Sequence, residues 1–308
     1  MNNYMSISRK DFLKACTLAA GGIILKSSNI LGQLQEKTEG FITLRDNFGI
    51  YIERGGTIAW LASSDAVVVV DSQFPDTAKN FTASLQKITP RKIDLLFNTH
   101  HHGDHTPGNV YLKNYTAKIV AHENCIELQK KSYGNDPGKP QVYADTTFKD
   151  EWSAILGKEK ITAKYFSPAH TGGDSVIHFE SLNIAHVGDL VFNRTFPYID
   201  LAGGGSVVNW INVLEKVIKY YSKETLFIFG HGITNEFVTG SMQDVNLMKD
   251  YISALVDFVS NEIKKGRTKE QIALADEIPG FKDLKEMRAG LKKMNLEKTY
   301  DELTKNKN

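Results

Sequence analysis

The sequence predicts a layered α/β fold in which helices cover two sheets. First, short β-branched or aromatic runs alternate with segments of helical hydrophobic spacing along most of the chain. Second, residue types that bind metals stand directly after several predicted strands, and sites in layered α/β folds commonly lie beyond strand carboxyl ends. The 308 residues, 41% hydrophobic and 24% charged, allow one large domain or two small ones.

The first part of the predicted core, which spans residues 40–240, is rich in β structure. Turn signals separate four short runs that we predict as strands: Phe41–Leu44, Gly49–Glu53, Thr57–Ala62 and Ala66–Val70. The run Val67–Val70 is apolar throughout, as expected of a strand covered on both faces. A helix over Asp76–Ile88 follows Pro75, and a buried strand over Ile93–Asn98 comes next.

The rest of the chain continues the alternation. Further strands are predicted at Ala117–Ala121, Ile161–Phe166, Ser175–Phe179, Leu182–Val187 and Leu226–Phe229, and helices at His122–Lys131 and Val208–Tyr221, with a loop over Ser132–Pro140. Residues 241–308 are expected to be helical, beginning with a long amphipathic helix over Ser241–Lys265. The apolar faces of these helices either cover the core or form a dimer interface, so both monomer and dimer remain open.

The amino terminus has the layout of an export signal. Basic Arg9 and Lys10 precede the mostly apolar stretch Ala15–Leu25. The segment resembles the twin-arginine motif with Lys10 in place of the second arginine. We therefore predict that residues 1–32 direct export to a bacterial periplasm; the alternative is an amphipathic helix.

Composition narrows the possible partners. No run of 18 apolar residues occurs, so no integral membrane segment is expected after removal of the signal. The net charge of +1 lacks the excess of positive charge that attracts nucleic acid, so nucleic acid is not an expected partner. A small-molecule substrate is the expected partner.

The strongest chemical signal is the segment Thr99–His105, which contains four histidines and an aspartate. Imidazole and carboxylate groups are the nitrogen and oxygen ligands that Zn²⁺ prefers. Alternate residues of an extended segment point the same way, so His100 and His102 can bind one ion together. Asp104 and His105, beyond the turn at Gly103, can bind a second ion.

Two such ions need further ligands from elsewhere in the chain. Three candidates stand downstream. His170 lies in a turn-rich loop, Asp189 directly follows a predicted strand, and His231 lies between two glycines. Glycine beside a ligand allows close approach of the backbone to an ion.

In this order, the motif His100-x-His102-x-Asp104-His105 followed by His170, Asp189 and His231 resembles the metallo-β-lactamase superfamily over about residues 41–232. The resemblance implies an αββα four-layer sandwich with the site at one edge. It also implies a set of ligand roles: His100, His102 and His170 for the first metal, Asp104, His105 and His231 for the second, and Asp189 bridging both.

The bridging Asp189 indicates which subgroup of the superfamily the chain resembles. Members that open β-lactams commonly carry Cys or Ser there, whereas Asp189 resembles glyoxalase II, lactonases and related hydrolases. The stretch His186–Ser206 is most similar to exported hydrolases of this fold. Export argues against a glutathione thioester as the substrate.

The resemblance implies a hydrolase with two Zn²⁺ ions, in which a metal-bound hydroxide attacks the carbonyl of a lactone, ester, thioester or β-lactam. Asp104 would be the catalytic residue that orients this nucleophile. Iron or manganese could replace zinc, because His/Asp sites accept several metals. The alternative is an iron-dependent oxidoreductase on the same fold, similar to sulfur dioxygenases.

Side chains around the motif have less specific signals. Tyr143 and Tyr198 lie in loops expected to border the cleft, and Thr171 adjoins His170. Each either contacts substrate or only packs and shapes its loop. His101 is expected to face away from the metals toward solvent or backbone, and His186 to be a core histidine with satisfied hydrogen bonds. For each, the alternative is that it orients a neighbouring metal ligand.

Overall fold

A computed structural model describes residues 40–134, 136 and 138–305, which form two β-sheets with helices on their outer faces. The predicted export signal at residues 1–32 lies outside the described residues. Among the residues described, no helix combines the length and apolar character needed to cross a membrane.

The first sheet has seven strands in the order of the chain. They are β1 (Phe41–Arg45), β2 (Phe48–Tyr51), β3 (Ile58–Ala62), β4 (Val67–Val70), β5 (Ile93–Asn98), β6 (Thr116–His122) and β7 (Thr146–Phe148). The pairs from β1 to β4 are antiparallel, and those from β4 to β7 are parallel. Strand β4 is wholly buried, as its four valines predict.

The second sheet has six strands in the order β13-β12-β11-β10-β9-β8. Their bounds are β8 (Glu151–Leu156), β9 (Glu159–Tyr165), β10 (Ser175–Phe179), β11 (Ile184–Asn193), β12 (Leu226–Gly232) and β13 (Thr239–Gly240). Only β11 and β12 pair in parallel within this described sheet, so their carboxyl ends reach the same edge.

The helices are α1 (Pro75–Ile88), α2 (Asn109–Leu112), α3 (Glu123–Tyr133), α4 (Val207–Tyr220), α5 (Met242–Lys264), α6 (Lys269–Ala273) and α7 (Leu291–Thr304). Short 3-10 turns cover Lys113–Tyr115 and Asn235–Val238. Helix α5 begins at Ser241, whose backbone N–H donates to the Asp244 carboxylate at 2.9 Å. This hydrogen bond is part of a capping box at Ser241, where the sequence predicts the start of the long helix.

Three hydrophobic clusters separate four layers. One lies on the outer face of the first sheet and includes Trp60 of β3 and Phe81 of α1. A second lies between the sheets and includes Phe97 and Phe179. The third lies between the second sheet and helices α4 and α5, around Trp210. The four-layer αββα sandwich implied by the family resemblance is therefore confirmed.

Several elements differ from the sequence prediction. Strands β7, β8 and β13 and the short helix α2 were not expected. The three strands lie at sheet edges, and although β8 alternates between exposed and half-buried residues, its apolar Ile155 is 71% exposed and breaks the hydrophobic alternation in the sequence. The expected helical tail is interrupted over residues 274–290, where Pro279 and the positive-φ glycines Gly280 and Gly290 break helical geometry.

Candidate metal centre

The candidate site lies where strands of both sheets end. The histidine segment directly follows β5, and its first residue is fixed by the second sheet, since the Ser175 N–H donates to the Thr99 carbonyl at 2.8 Å. A second link joins the sheets nearby, where the Thr57 N–H donates to the Gly230 carbonyl at 2.9 Å. Residues from distant parts of the sequence therefore meet at one edge.

A first group brings together His100, His102, His170 and Asp189, whose potential ligand atoms all lie within 4.8 Å of one another. His170 Nε2 is 3.0 Å from His102 Nδ1. Asp189 Oδ2 is 3.5 Å from His170 Nε2 and 3.7 Å from His100 Nε2. These three nitrogens and one carboxylate oxygen converge on a common centre.

A second group contains Asp104, His105 and His231, with potential ligand atoms also within 4.8 Å of one another. Asp104 Oδ2 is 3.1 Å from His231 Nε2 and 3.8 Å from His105 Nε2. Asp189 joins this group too, because its Oδ1 is 3.2 Å from His105 Nε2 and its Oδ2 is 3.5 Å from His231 Nε2. Asp189 thus lies between the two groups.

Outer hydrogen bonds orient the imidazoles. His105 Nδ1 is 2.7 Å from the Asp71 carboxylate, His102 Nε2 is 2.9 Å from the Asp200 carboxylate, and His170 Nδ1 is 2.8 Å from the Tyr198 carbonyl. A carboxylate or carbonyl oxygen can only accept, so each of these ring nitrogens must donate. In His102 and His170 the other nitrogen is then left facing the centre as an acceptor, the arrangement usual for metal-binding histidines, and His105 directs its Nε2 toward the same centre.

The inward atoms fit divalent cations. Among the described side chains, His100 Nε2, His105 Nε2 and Asp189 Oδ1 are buried and have no hydrogen-bond partner. Leaving buried polar atoms unpaired is costly, and a cation at each group would satisfy them. The imidazole and carboxylate donors match those that Zn²⁺ prefers.

The electrostatics of the chain agree with this interpretation. Burial holds the pKa of His100 well below its usual value and, together with His102, lowers the pKa of His170 to about 3. Burial alone would raise the pKa of Asp189, but the neighbouring histidines outweigh it and hold that pKa well below normal. Neutral imidazole and ionised carboxylate are the forms that bind metal.

His105 differs in its protonation. Burial alone would lower the pKa of its imidazole, but the charges of Asp189, Asp104 and Asp71 outweigh burial and raise that pKa well above its usual value. These three carboxylates therefore favour the protonated form of the His105 imidazole. A cation at the second group competes with that proton.

Glycines next to the ligands leave room for their neighbours. A Cβ atom on Gly230 would overlap Asp189 Oδ1. Gly188 has φ +53°, a conformation that favours glycine, and the β11–β12 register shifts there, immediately before Asp189. These glycines thus let Asp189 reach the centre from within a strand.

A cavity of about 670 Å³ opens onto both groups. Its lining residues are Phe74, His101, His102, Gly103, Asp104, Ser132, Tyr133, Asp189, Phe192, Tyr198, Asp200, His231, Met287, Arg288 and Leu291. Tyr198, predicted to border the cleft, lines it with 37% of its surface exposed.

For the other two candidate cleft residues, the structure favours the packing alternative. Tyr143 does not line this cavity, and its ring lies 5.8 Å from Lys130 Nζ of helix α3. Thr171 is fully buried, and its hydroxyl donates to Asp174 Oδ1 at 2.6 Å. Thr171 therefore shapes the turn that presents His170 instead of contacting substrate.

The two remaining histidine predictions have different outcomes. His101 does not face solvent: it is buried, and its Nε2 lies 3.6 Å from Asp200 Oδ2 at the cavity wall. Packing of the 200–205 loop against the histidine segment encloses it. His186 is confirmed as a satisfied core histidine, with Nε2 2.9 Å from the Thr57 carbonyl and Nδ1 accepting the Gly188 N–H.

Several residues of the site have weak or no sequence signals. Asp71 directly follows the wholly apolar strand β4. A polar residue directly after a buried strand is the same signal that identifies the histidine segment, so it could also have identified Asp71. Asp200 lies in an irregular loop with no comparable signal. Met287 and Arg288 belong to the segment expected to be helical, so nothing local places them at the site.

This fold and donor set define a class of protein. The chain belongs to the metallo-beta-lactamase superfamily, because the model of that family matches residues 52–231.

Individual relatives support the same assignment. The chain is 29% identical to a hydroxyacylglutathione hydrolase of Bartonella henselae over 201 residues, 64% of this chain and 67% of that protein. It is 26% identical to a metallo-beta-lactamase type 2 of Bacillus cereus over 174 residues, 56% of this chain and 65% of that protein. The matches span about half to two thirds of the length of these curated relatives.

A solved structure shows the same fold. The metallo-beta-lactamase from Pontibacter korlensis superposes with a TM-score of 0.60 at 13% identity, covering 69% of this chain and 98% of that one.

Proposed function

We propose that this protein is a hydrolase that binds two divalent cations, zinc by preference, and cleaves a lactone, ester, thioester or β-lactam. One observation carries the proposal: two groups of ligand-type side chains share Asp189 at the base of a 670 Å³ cavity, with buried inward atoms that have no hydrogen-bond partner. Relatives named as hydrolases support the reaction class.

The proposed ligand roles follow the two groups. His100, His102 and His170 would hold the first cation, Asp104, His105 and His231 the second, and Asp189 both. When bound, two such ions supply Lewis-acid polarisation of a carbonyl and lower the pKa of a water molecule to about 7.

Asp104 is the carboxylate best placed to orient a water molecule. One third of its side chain is exposed to the cavity, whereas Asp189 is almost completely buried. Burial alone would raise the pKa of Asp104, but His105 and His231 outweigh it and keep the carboxylate ionised. It therefore accepts a proton in a hydrogen bond and aligns the attacking oxygen.

We also propose export through residues 1–32, as their basic and apolar pattern suggests. An exported enzyme would act on a periplasmic small molecule. For that reason an intracellular glutathione thioester is a test compound and not the leading substrate.

The test combines metal analysis with a hydrolysis screen. Protein purified without added metal is expected to contain two zinc ions per chain and to hydrolyse at least one compound among lactones, aryl thioesters, an acylglutathione and nitrocefin. Removal of metal by a chelator abolishes this activity, and Zn²⁺ restores it. Purified protein without bound metal would overturn the proposal.

Substitution separates catalysis from folding. Asp104→Ala is expected to keep its circular dichroism spectrum and lose turnover by about a hundredfold or more. Asp250→Ala, on the exposed face of α5, is the control that keeps full activity. Two iron ions with oxygen-dependent turnover would instead support the oxidoreductase alternative.

A further inference from the structure

Phe192 lies between the two ligand groups. It is 4% exposed and belongs to β11, three residues after Asp189. Along a regular strand, residues three apart point to opposite faces of the sheet. Between Gly188 and Phe192, however, residues 189–191 lie opposite only Gly230 of β12. This bulge turns the strand so that Asp189 and Phe192 both line the cavity.

His231 lacks the outer hydrogen bond that the other ligand histidines make. Those imidazoles are oriented at their outer nitrogens by the Thr99 hydroxyl, the Asp200 and Asp71 carboxylates and the Tyr198 carbonyl. Within the described part of the chain, no hydrogen bond is found for Nδ1 of His231. Another contact must therefore hold its ring.

The ring of Phe192 provides this contact. It is nearly parallel to the imidazole of His231, with ring centroids 5.3 Å apart and 16° between the planes. The two residues are partners in the β11–β12 register, so the backbone fixes the separation of the rings. Offset stacking of this kind is a favourable arrangement of aromatic rings. It restricts rotation of the imidazole and keeps its Nε2 beside Asp104, at 3.1 Å from Oδ2.

Phe192 also reaches the first group, but with a different consequence. Its ring centroid is 5.5 Å from that of His170, with 59° between the planes. His170 does not depend on this contact for its orientation, because its Nδ1 donates to the Tyr198 carbonyl at 2.8 Å. Removal of the Phe192 ring should therefore loosen the second group more than the first.

We infer that Phe192 is a positioning residue for the second cation, and that its ring holds the imidazole of His231 in the orientation that binds metal. This inference rests on the proposed binding of two cations, and it does not depend on which substrate is cleaved. Phe192 offers no ligand atom, so it acts on the cation only through His231.

Titration of metal-free protein with Zn²⁺, in competition with a chelator, tests this inference. The dissociation constant of the second group is identified as the one that His231→Ala weakens most. Phe192→Leu removes the ring but keeps an apolar side chain. It should weaken that constant by about three- to tenfold, as expected for the loss of one aromatic pair, and change the first constant little. Phe192→Tyr keeps the ring and should keep the wild-type constant.

The matched control is Phe196→Leu. Phe196 is 3% exposed and belongs to the same hydrophobic cluster as Phe192, but its ring packs against Tyr251 and lies outside the cavity lining. Its replacement should lower the free energy of unfolding, as Phe192→Leu does, and leave both zinc constants unchanged. An unchanged second constant in Phe192→Leu, or an equal loss in Phe196→Leu, would overturn the positioning role.

A measurement on the wild type does not depend on the folding of a variant. In metal-free wild-type protein, NMR should show nuclear Overhauser effects between the rings of Phe192 and His231 and a single side-chain rotamer of His231. Averaging of this side chain over several rotamers would overturn the role of Phe192. Failure of the protein to bind any zinc would instead count against the two-cation proposal, and the rotamer measurement would still decide the role of Phe192.

Discussion

Replacing Asp200 by asparagine tests how the protein holds its first metal group. Asp200 Oδ2 is 2.9 Å from His102 Nε2, and Oδ1 accepts the Gly203 N–H at 2.8 Å. Asparagine has the same shape but only one acceptor oxygen, so it cannot serve both donors. In Asp200→Asn, either His102 or the loop at Gly203 loses its partner.

The expected loss of metal affinity in Asp200→Asn follows from the hydrogen bond that Asp200 makes to a metal-binding histidine. Loss of the outer partner of a metal-binding histidine typically weakens metal affinity by about 10–100-fold, which corresponds to about 1.4–2.7 kcal/mol. Asp200 contacts His102 of the first group and no member of the second. The affinity of the first group for Zn²⁺ should therefore fall, while the affinity of the second group is unchanged.

Asp71→Asn is the matched variant for the second group. Its carboxylate is 2.7 Å from His105 Nδ1. Asp71 has φ +63°, a conformation that asparagine tolerates. This variant should weaken the step that Asp200→Asn leaves unchanged.

The assay is titration of metal-free protein with Zn²⁺ in competition with a chromophoric chelator, which gives two dissociation constants. Circular dichroism shows whether each variant keeps its fold. If both variants weakened the same step, or if Asp200→Asn left both constants unchanged, the assignment of one outer carboxylate to each group would be refuted.

The pKa of His105, the glycine beside Asp189 and the buried Trp210 each have a measurable consequence. Because three carboxylates raise the pKa of His105, Zn²⁺ binding at neutral pH should release a proton, and the affinity for Zn²⁺ should fall as the pH falls. Calorimetry in two buffers of different ionisation enthalpy measures the number of protons released. Gly230→Ala should displace Asp189, lower the bound zinc and reduce the free energy of unfolding by about 1–3 kcal/mol, and normal zinc content would contradict this. Trp210→Ala should reduce that free energy by about 3–5 kcal/mol in urea titrations, because Trp210 is fully buried, while the half-exposed control Tyr220→Ala should have a small effect.

The sequence predicts the ligand groups well because their signals are local. His100, Asp189 and His231 each stand in or directly after a buried strand, and the parallel pairing of such strands places their carboxyl ends together. The structure accordingly brings all seven predicted ligand residues into two adjoining groups. That these groups bind zinc remains a prediction.

The walls of the cavity could not be predicted in the same way. Met287 and Arg288 reach the cavity because Thr195 binds a segment about 90 residues further along the chain, and no local pattern encodes that contact. Tyr143 shows the opposite error, because its loop was expected to border the cleft, whereas its ring contacts Lys130 of α3 and does not line the cavity.

The distribution of the ligand residues along the chain determines when the centre can form. They extend from His100, after the first sheet's fifth strand, to His231, in the penultimate strand of the second sheet. A nascent chain that lacks β12 has only part of the second group and lacks the strand that pairs with β11 beside Asp189. Metal capture by the complete centre would therefore follow the pairing of β11 with β12, and bound metal would mark chains in which the second sheet has formed.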